Sequence, residues 1–187
     1  MHADTFLRET AAIAELIDRG EVERFVEFLV SLRARKGRLW IAGLGGSAAN
    51  ASHAANDFRK LCGIEAYCLT DNVAEVTARA NDEGWERALS LDYSAPGDAL
   101  LVLSVGGGAQ NVSLPLISVV QNAAFKNVVV MGIVGRDGGL TKMVGDCVLV
   151  VPTVEPSRVT PHTEGWQGVI LHCVVSHPKL QKRATKW

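Results

Sequence analysis

The sequence predicts a doubly wound α/β fold: a three-layer α/β/α sandwich on a five-stranded parallel sheet, preceded by N-terminal helices. Three observations carry that prediction. Short apolar runs of strand length recur, and the strongest of them end in glycine-rich loops that open helical stretches. The runs are continuous rather than alternating, the pattern of strands covered on both faces. A length of 187 residues suits one domain with a sizeable core, and no low-complexity segment or linker divides it.

In chain order, residues 5–36 read as two helices. Phe6, Ile13, Leu16 and Ile17, then Val22, Phe25, Val26, Leu29 and Leu32 recur at helical spacing, and Gly20 is placed as the break between them. Residues 38–42 form a strand that runs into Gly43-Leu44-Gly45-Gly46-Ser47, and 48–61 is helical. A second strand is expected at 65–69. The unit returns as strand 99–104, loop Val105-Gly106-Gly107-Gly108 and a helix from about 111 to 125. It returns again as strand 127–134, loop Gly135 to Gly139 and a short helix at 140–144. A fifth strand at 147–151 and a helix at 160–176 follow, and the basic segment 177–187 is expected to be peripheral. The domain reading is one unit over 1–187, with helices 1–36 for oligomerisation, a core at 37–177 and a tail at 178–187. The wide apolar faces of the N-terminal helices motivate the oligomerisation role, because one sheet has limited surface on which to bury them.

Composition excludes several function classes. Nineteen Lys and Arg against twenty Asp and Glu leave a net charge of −1, without the basic surface of a nucleic-acid binder. No apolar run approaches bilayer-spanning length, and Met1 to Arg8 lacks the pattern of a secretion signal. A cytoplasmic protein with neither membrane nor nucleic acid as partner is expected. Cys62, Cys68, Cys147 and Cys173 are scattered without paired metal spacing and read as reduced, buried small hydrophobes.

In an open parallel sheet, ligands bind beyond the carboxyl ends of the strands, near the point where strand order reverses. Two glycine-rich loops fall there. Gly43 to Ser47 opens a helix whose N–H groups and dipole favour an anion, with Ser47 as the expected N-cap. The loop at Ser104 to Ala109 has the same shape. A dinucleotide fingerprint fails, since Ala48 stands where the third glycine belongs and Glu65 would begin its strand rather than end it. No Lys-Ser/Thr pair of the P-loop kind is present, so a nucleotide-dependent oxidoreductase is set aside. A phosphate or phosphosugar fits the loops, and so do tight turns that hold no ligand. His53 and Asp57, four apart, share a helix face, as do Glu164 and His172, eight apart. Two nitrogens and two carboxylates suit a divalent metal such as Zn²⁺, or general acid–base work. The alternative is solvated or capped pairs. His162, just after Pro161, reads as structural, and Arg59 and Lys60 as a solvated basic pair.

The run Gly43-Leu44-Gly45-Gly46-Ser47-Ala48-Ala49-Asn50-Ala51-Ser52-His53, followed by Asp57, resembles the signature of the sedoheptulose 7-phosphate (phosphoheptose) isomerases of the SIS-domain superfamily. The likeness extends to Asn81-Asp82, to Ser104 with Asn111-Val112, to Gly135 through Gly139, and to the helix carrying Glu164 and His172. The resemblance implies a cytoplasmic homotetramer with sites at subunit interfaces and one Zn²⁺ per subunit held by His53, Asp57, Glu164 and His172. It implies that Asp57 moves a proton between C1 and C2 while His172 serves the oxygens. Gly45, Gly46, Ser47, Ser104, Val105 and Gly106 would hold the phosphate. Asn81 and Asp82, like Asp71 and Asn72, are weighed as partners of sugar hydroxyls or as turn and cap residues.

The implied activity is conversion of sedoheptulose 7-phosphate to D-glycero-D-manno-heptose 7-phosphate, for surface or capsular polysaccharide. A phosphosugar-binding or protein-interaction module that has lost turnover is the alternative. The sequence departs from the family at several points. The family commonly has Glu at position 57 and Gln at position 164, so here one carboxylate shortens as another arrives, and the two changes are expected to compensate at the metal. Where relatives offer a run of hydroxyls in the second loop, this chain has Val105, Gly106 and Ala109. Leu44 replaces a polar residue beside the sugar. Backbone N–H groups can still hold a phosphate there.

Overall fold

A computed structural model of the chain describes residues 1–109 and 111–185. Five parallel strands, β1 (Leu39–Gly43), β2 (Ala66–Cys68), β3 (Ala99–Ser104), β4 (Val129–Val134) and β5 (Cys147–Val150), pair in the order β2-β1-β3-β4-β5. Register is continuous across the centre, with Leu39 opposite Ala99 and Ala99 opposite Val129. The helices are α1 (His2–Leu16), α2 (Arg19–Ala34), α3 (Gly46–Asp57), α4 (Val73–Asp82), α5 (Leu114–Phe125), α6 (Gly139–Val144) and α7 (Val159–Val175).

Side chains alternate between the two faces of the sheet and both faces are covered, which is why the strand sequences read as unbroken apolar runs. Leu39, Ile41, Leu101, Leu103, Met131 and Ile133 point to one face and pack with Phe25 and Leu29 of α2, Ala51 and Ala55 of α3, and Ile170 and Val174 of α7. Trp40, Ala42, Leu100, Val102 and Val130 point to the other and meet Leu116, Val119 and Ala123 of α5. All six residues of β3 are buried, as befits the central strand. The expected doubly wound, five-stranded sandwich is the observed fold.

Several boundaries differ for local reasons. The first two helices part at Ile17, not Gly20: the Asp18 carboxylate accepts from the Glu21 N–H at 2.9 Å and caps α2, leaving Gly20 inside its first turn. The helix expected at 48–61 is α3 followed by a π-helical turn, Phe58–Cys62, closed by Gly63 at φ 64°. Helix α4 was not foreseen. It buries no residue, and its apolar side, Val73, Val76 and Ala80, is short and made of small side chains. Its supports are the Asn72 cap on the Glu75 N–H and the ion pairs of Arg79 with Glu75 and Asp92. The segment after α7 is anchored rather than peripheral. Leu180 is fully buried, Arg33 donates to the Leu180 and Lys179 carbonyls, and the Lys182 N–H donates to Leu61. Lys186 and Trp187 of the expected tail lie outside the described residues. Cys62, Cys68 and Cys147 are buried and free as expected, and burial pushes the Cys62 and Cys147 thiols up to about 11 and about 12. Cys173 is exposed, on the outer face of α7, where no other described residue covers it.

Two polar anchors hold the layers. Buried Asp98, just before β3, accepts from the Trp40 indole, the Arg38 N–H and the Ala95 N–H at 2.9–3.0 Å, and pairs with the Arg38 guanidinium. Burial raises its pKa, but these donors together outweigh that and hold it below the ordinary carboxylate value. Helix α1 buries only Ile13. Its Glu9 is held by Arg158 and by His162, the latter at 2.8 Å, while Phe6 stacks on the His162 ring at 4.4 Å. The hydrogen bonds from Arg158 and then His162 hold Glu9 at about 2. His162 is thus structural, as its position suggested.

Removing the Asp98 carboxylate leaves three donors unmatched in a buried site. Asp98→Ala is expected to destabilise the protein by roughly 3 kcal/mol, read as a lower denaturant midpoint with an unchanged slope. Because Glu9 titrates below its ordinary 4.5, its contribution to docking α1 is complete above about pH 4.5 and lost as pH falls toward 2. An acid titration followed by the amide resonances of α1 should show that step in the wild type. It should be absent in Glu9→Gln, where α1 is loosened at all pH values.

Candidate functional site

Strand order reverses between β1 and β3, so the loops leaving these strands part to opposite faces and open a cleft between them. The cleft has a volume of about 980 Å³. Leu44 and Ser47 line it from the first loop, Ser104, Val105 and Gly106 from the second, and Arg136 and Asp137 from the third. Leu116 and Ile117 of α5, Leu140 and Met143 of α6, and Thr160 and Glu164 of α7 complete its walls.

Its floor is backbone on backbone. A Cβ on Gly107, whose φ is +63°, would lie 1.8 Å from the Gly138 carbonyl oxygen, and one on Gly139 would lie 2.3 Å from that of Gly106. The Thr141 N–H and hydroxyl both donate to the Gly107 carbonyl at 2.9 Å. The glycines of both motifs are therefore needed for the two loops to touch.

The expected phosphate residues fare differently. Gly45, at φ 61°, is the residue before α3, and no side chain caps that helix; Ser47 lies two residues in and is buried at the cleft wall rather than capping. The Ser104 hydroxyl accepts from the Gly107 N–H at 3.0 Å and so shapes its own loop. Val105 and Gly106 line the cleft, and Gly46 lies beneath the Glu164 carboxylate, where a Cβ would come within 2.4 Å of Oε2. Asn81 and Asp82 end α4, hydrogen-bonded to each other at 2.7 Å and exposed, away from the cleft. Asn72 caps that helix, Asp71 is exposed beside it, and Arg59 and Lys60 are exposed on the π-helical turn.

Further along α3, His53 and Asp57 meet His172 of α7. Asp57 Oδ2 lies 3.1 Å from His53 Nε2 and 3.9 Å from His172 Nε2, and the imidazoles stand edge to face at 5.1 Å. One ligand atom from each of the three falls within 4.8 Å of the others. Two imidazoles and a carboxylate are the three-protein-ligand set of catalytic zinc sites, which keep one position open, so the donors suit such an ion. Glu164, expected as a fourth member, is not with them. It is eight residues before His172, about 12 Å along the helix axis, and its carboxylate faces the cleft.

A clamp that the sequence did not announce sets the register of α3 on α7. The Asn50 amide donates to the Glu164 carbonyl at 2.9 Å and to the Gln167 side chain at 3.0 Å, and fully buried Gln167 donates in turn to Ile133 of β4. Asn50 lies one turn from His53, so the clamp fixes how the histidines of the two helices meet. An Asn on a helix and a Gln on another carry no sequence signal of pairing.

These features define a doubly wound α/β protein with a cleft of about 980 Å³ at the switch point and a histidine–carboxylate cluster on the helices that wall it. No family model matches the chain. It is 35% identical over 171 residues to the phosphoheptose isomerase of Trichlorobacter lovleyi, covering 87% of this chain and 79% of that one. A Helicobacter pylori phosphoheptose isomerase is 29% identical, with 81% of each chain covered. Among solved structures, phosphoheptose isomerase GmhA from Neisseria gonorrhoeae superposes with a TM-score of 0.79 at 24% identity, covering 93% of this chain and 95% of that one. The chain belongs to the phosphoheptose isomerase family, and it is an aldose–ketose isomerase.

Gly107→Ala tests the cleft floor, since its Cβ meets backbone that cannot turn aside. The variant is expected to lose roughly 2 kcal/mol or more of stability, measured by thermal or denaturant unfolding.

Proposed function

We propose that the protein is a metal-assisted isomerase that converts sedoheptulose 7-phosphate to D-glycero-D-manno-heptose 7-phosphate. The observation that carries this reading is that the cluster stands on the two helices that wall the cleft, His53 and Asp57 on α3 with Ser47, and His172 on α7 with Glu164. Ser47 and His53 are six residues apart, about 9 Å along α3, a span suited to a sugar held by a phosphate at one end and reacting at the other. His53, Asp57 and His172 would hold the ion, with Zn²⁺ favoured by the donor set. Bound there, it supplies a Lewis acid for the charge that gathers on a carbonyl oxygen.

The chain's own residues carry the proton. The Asp57 carboxylate takes a proton from C1, the electron pair moves into the C1–C2 bond, and negative charge gathers on the C2 oxygen. The proton returns to C2 while O1 gives up its own, and His172 serves the oxygens as acid and base. Phosphate held in the cleft directs remote binding energy into orientation of the reacting end.

Both imidazoles are more than half exposed, at 56% and 62%, and α1 leaves Leu7 and Leu16 on the surface. Exposed site groups and unburied apolar residues support a homotetramer with sites at subunit interfaces and the helices at 1–36 contributing to them. No helix of the described residues is long and apolar enough to cross a membrane, and the proposed setting is the cytoplasm.

Proton NMR of the zinc-loaded protein with sedoheptulose 7-phosphate in heavy water is the direct test. A new aldose with deuterium at C2 is expected, and Asp57→Asn should lower turnover by about 10²–10⁴-fold. A folded, zinc-loaded protein that binds the sugar phosphate without exchange would identify a phosphosugar-binding module instead.

A further inference from the structure

The cleft carries its own charges, and they are separate from the histidine cluster. Arg136 is the one cation among the described residues that line it. No hydrogen bond or ion pair engages its guanidinium among those residues. Glu164 likewise lines the cleft, its carboxylate seated over Gly46 and unpaired among the described residues. Asp137, beside Arg136, is turned back to accept from the Gly139 N–H at 3.2 Å. Gly46 follows the end of β1 and Arg136 the end of β4, with β3 between them. By strand spacing those ends stand about 10 Å apart.

The hydroxyls that line the cleft are those of Ser47, Ser104, Ser113 and Thr160. That of Ser104 accepts from the Gly107 N–H and keeps its own proton to donate, while Val105, Gly106 and Ala109 have none. A phosphate dianion entering the cleft also meets two carboxylates and one guanidinium, the one full positive charge among the described residues that line it. Guanidinium matches phosphate oxygens in a fork of paired donors. An ionised carboxylate accepts only, which suits sugar hydroxyls and repels a phosphate.

We propose that Arg136 anchors the phosphate of the substrate and that Glu164 receives its hydroxyls, fixing the orientation of the sugar phosphate and rejecting bare anions. This rests on the phosphosugar reading above and assigns Glu164 to the substrate rather than to the metal.

The test is calorimetric titration of the purified full chain with inorganic phosphate and with sedoheptulose 7-phosphate, alongside zinc affinity by chelator competition. Arg136→Gln should weaken both anions about tenfold or more, with partial recovery in Arg136→Lys, which keeps the charge. Glu164→Gln should bind inorganic phosphate more tightly, lose about tenfold of the preference for the sugar phosphate over it, and hold zinc as the wild type does. Unchanged anion binding in Arg136→Gln would overturn the anchor. A fall in zinc affinity of about tenfold in Glu164→Gln, one ligand's worth, with the sugar preference intact, would return Glu164 to the metal. If the binding pattern holds but the wild type shows no deuterium exchange, the charge assignment stands and the isomerase reading falls.

Discussion

The reversal of strand order between β1 and β3 is the constraint on which the rest of this molecule depends. Chain that leaves β1 goes into α3 on one face of the sheet, and chain that leaves β3 goes into α5 on the other. Right-handed crossovers on either side of the reversal leave no connection to cover the strand ends between them. The cleft is therefore a consequence of topology, and its chemistry is set by whichever residues the loops bring to those ends. Topology also explains the glycines. Loops from adjacent strands must pass within backbone contact of each other, and Gly107 and Gly139 meet the facing carbonyls where any Cβ would collide.

Rigidity of the sheet and of the helices on it comes from polar groups that are matched as well as from apolar packing. Asp98 ties the starts of β1 and β3 together through four donors. Asn50 and Gln167 tie α3 to α7 and α7 to β4. Such networks contribute modestly when intact and cost much when one member is missing, so they specify a single register. That matters most where His53 and Asp57 come from one helix and His172 from another, because a slip of one residue would rotate a side chain by about 100° around its helix. Helix α1 is the contrast. It is held by Ile13 and by one ionic cluster with Arg158 and His162.

What the sequence disclosed follows from what leaves a periodic trace. The strands and the core helices bury residues at regular intervals, and each was legible to within a few positions. Helix α4 buries nothing, and its Asn72 cap and Arg79 pairs are short-range polar events that resemble an ordinary loop. In the site, His53 and Asp57 were readable because four residues on a helix is a contact distance, and the structure brings His172 to them. The placement of Glu164 was not readable from spacing. Eight residues on a helix keeps a face but also adds about 12 Å, and which of two neighbouring sites a side chain reaches depends on what lies opposite. Opposite Glu164 lies Gly46, the one residue type that leaves room for its carboxylate.

The walls of the cleft give its charges their weight. Leu44, Val105, Leu116, Ile117, Leu140 and Met143 surround it with apolar surface, and a charge beside such surface interacts more strongly than one facing open water. A run of hydroxyls recognises phosphate through several directional bonds of modest strength, each demanding its own geometry. The Arg136 guanidinium offers charge and a fork of paired donors through fewer atoms, so the second loop is free to carry Val105 and Ala109. The same surround makes an unpaired carboxylate costly unless a ligand meets it. Glu164 then has two ways to be satisfied, by hydroxyls in the cleft or by a cation, and the nearest cation-binding group of the chain lies two turns away along α7. Geometry favours the hydroxyls.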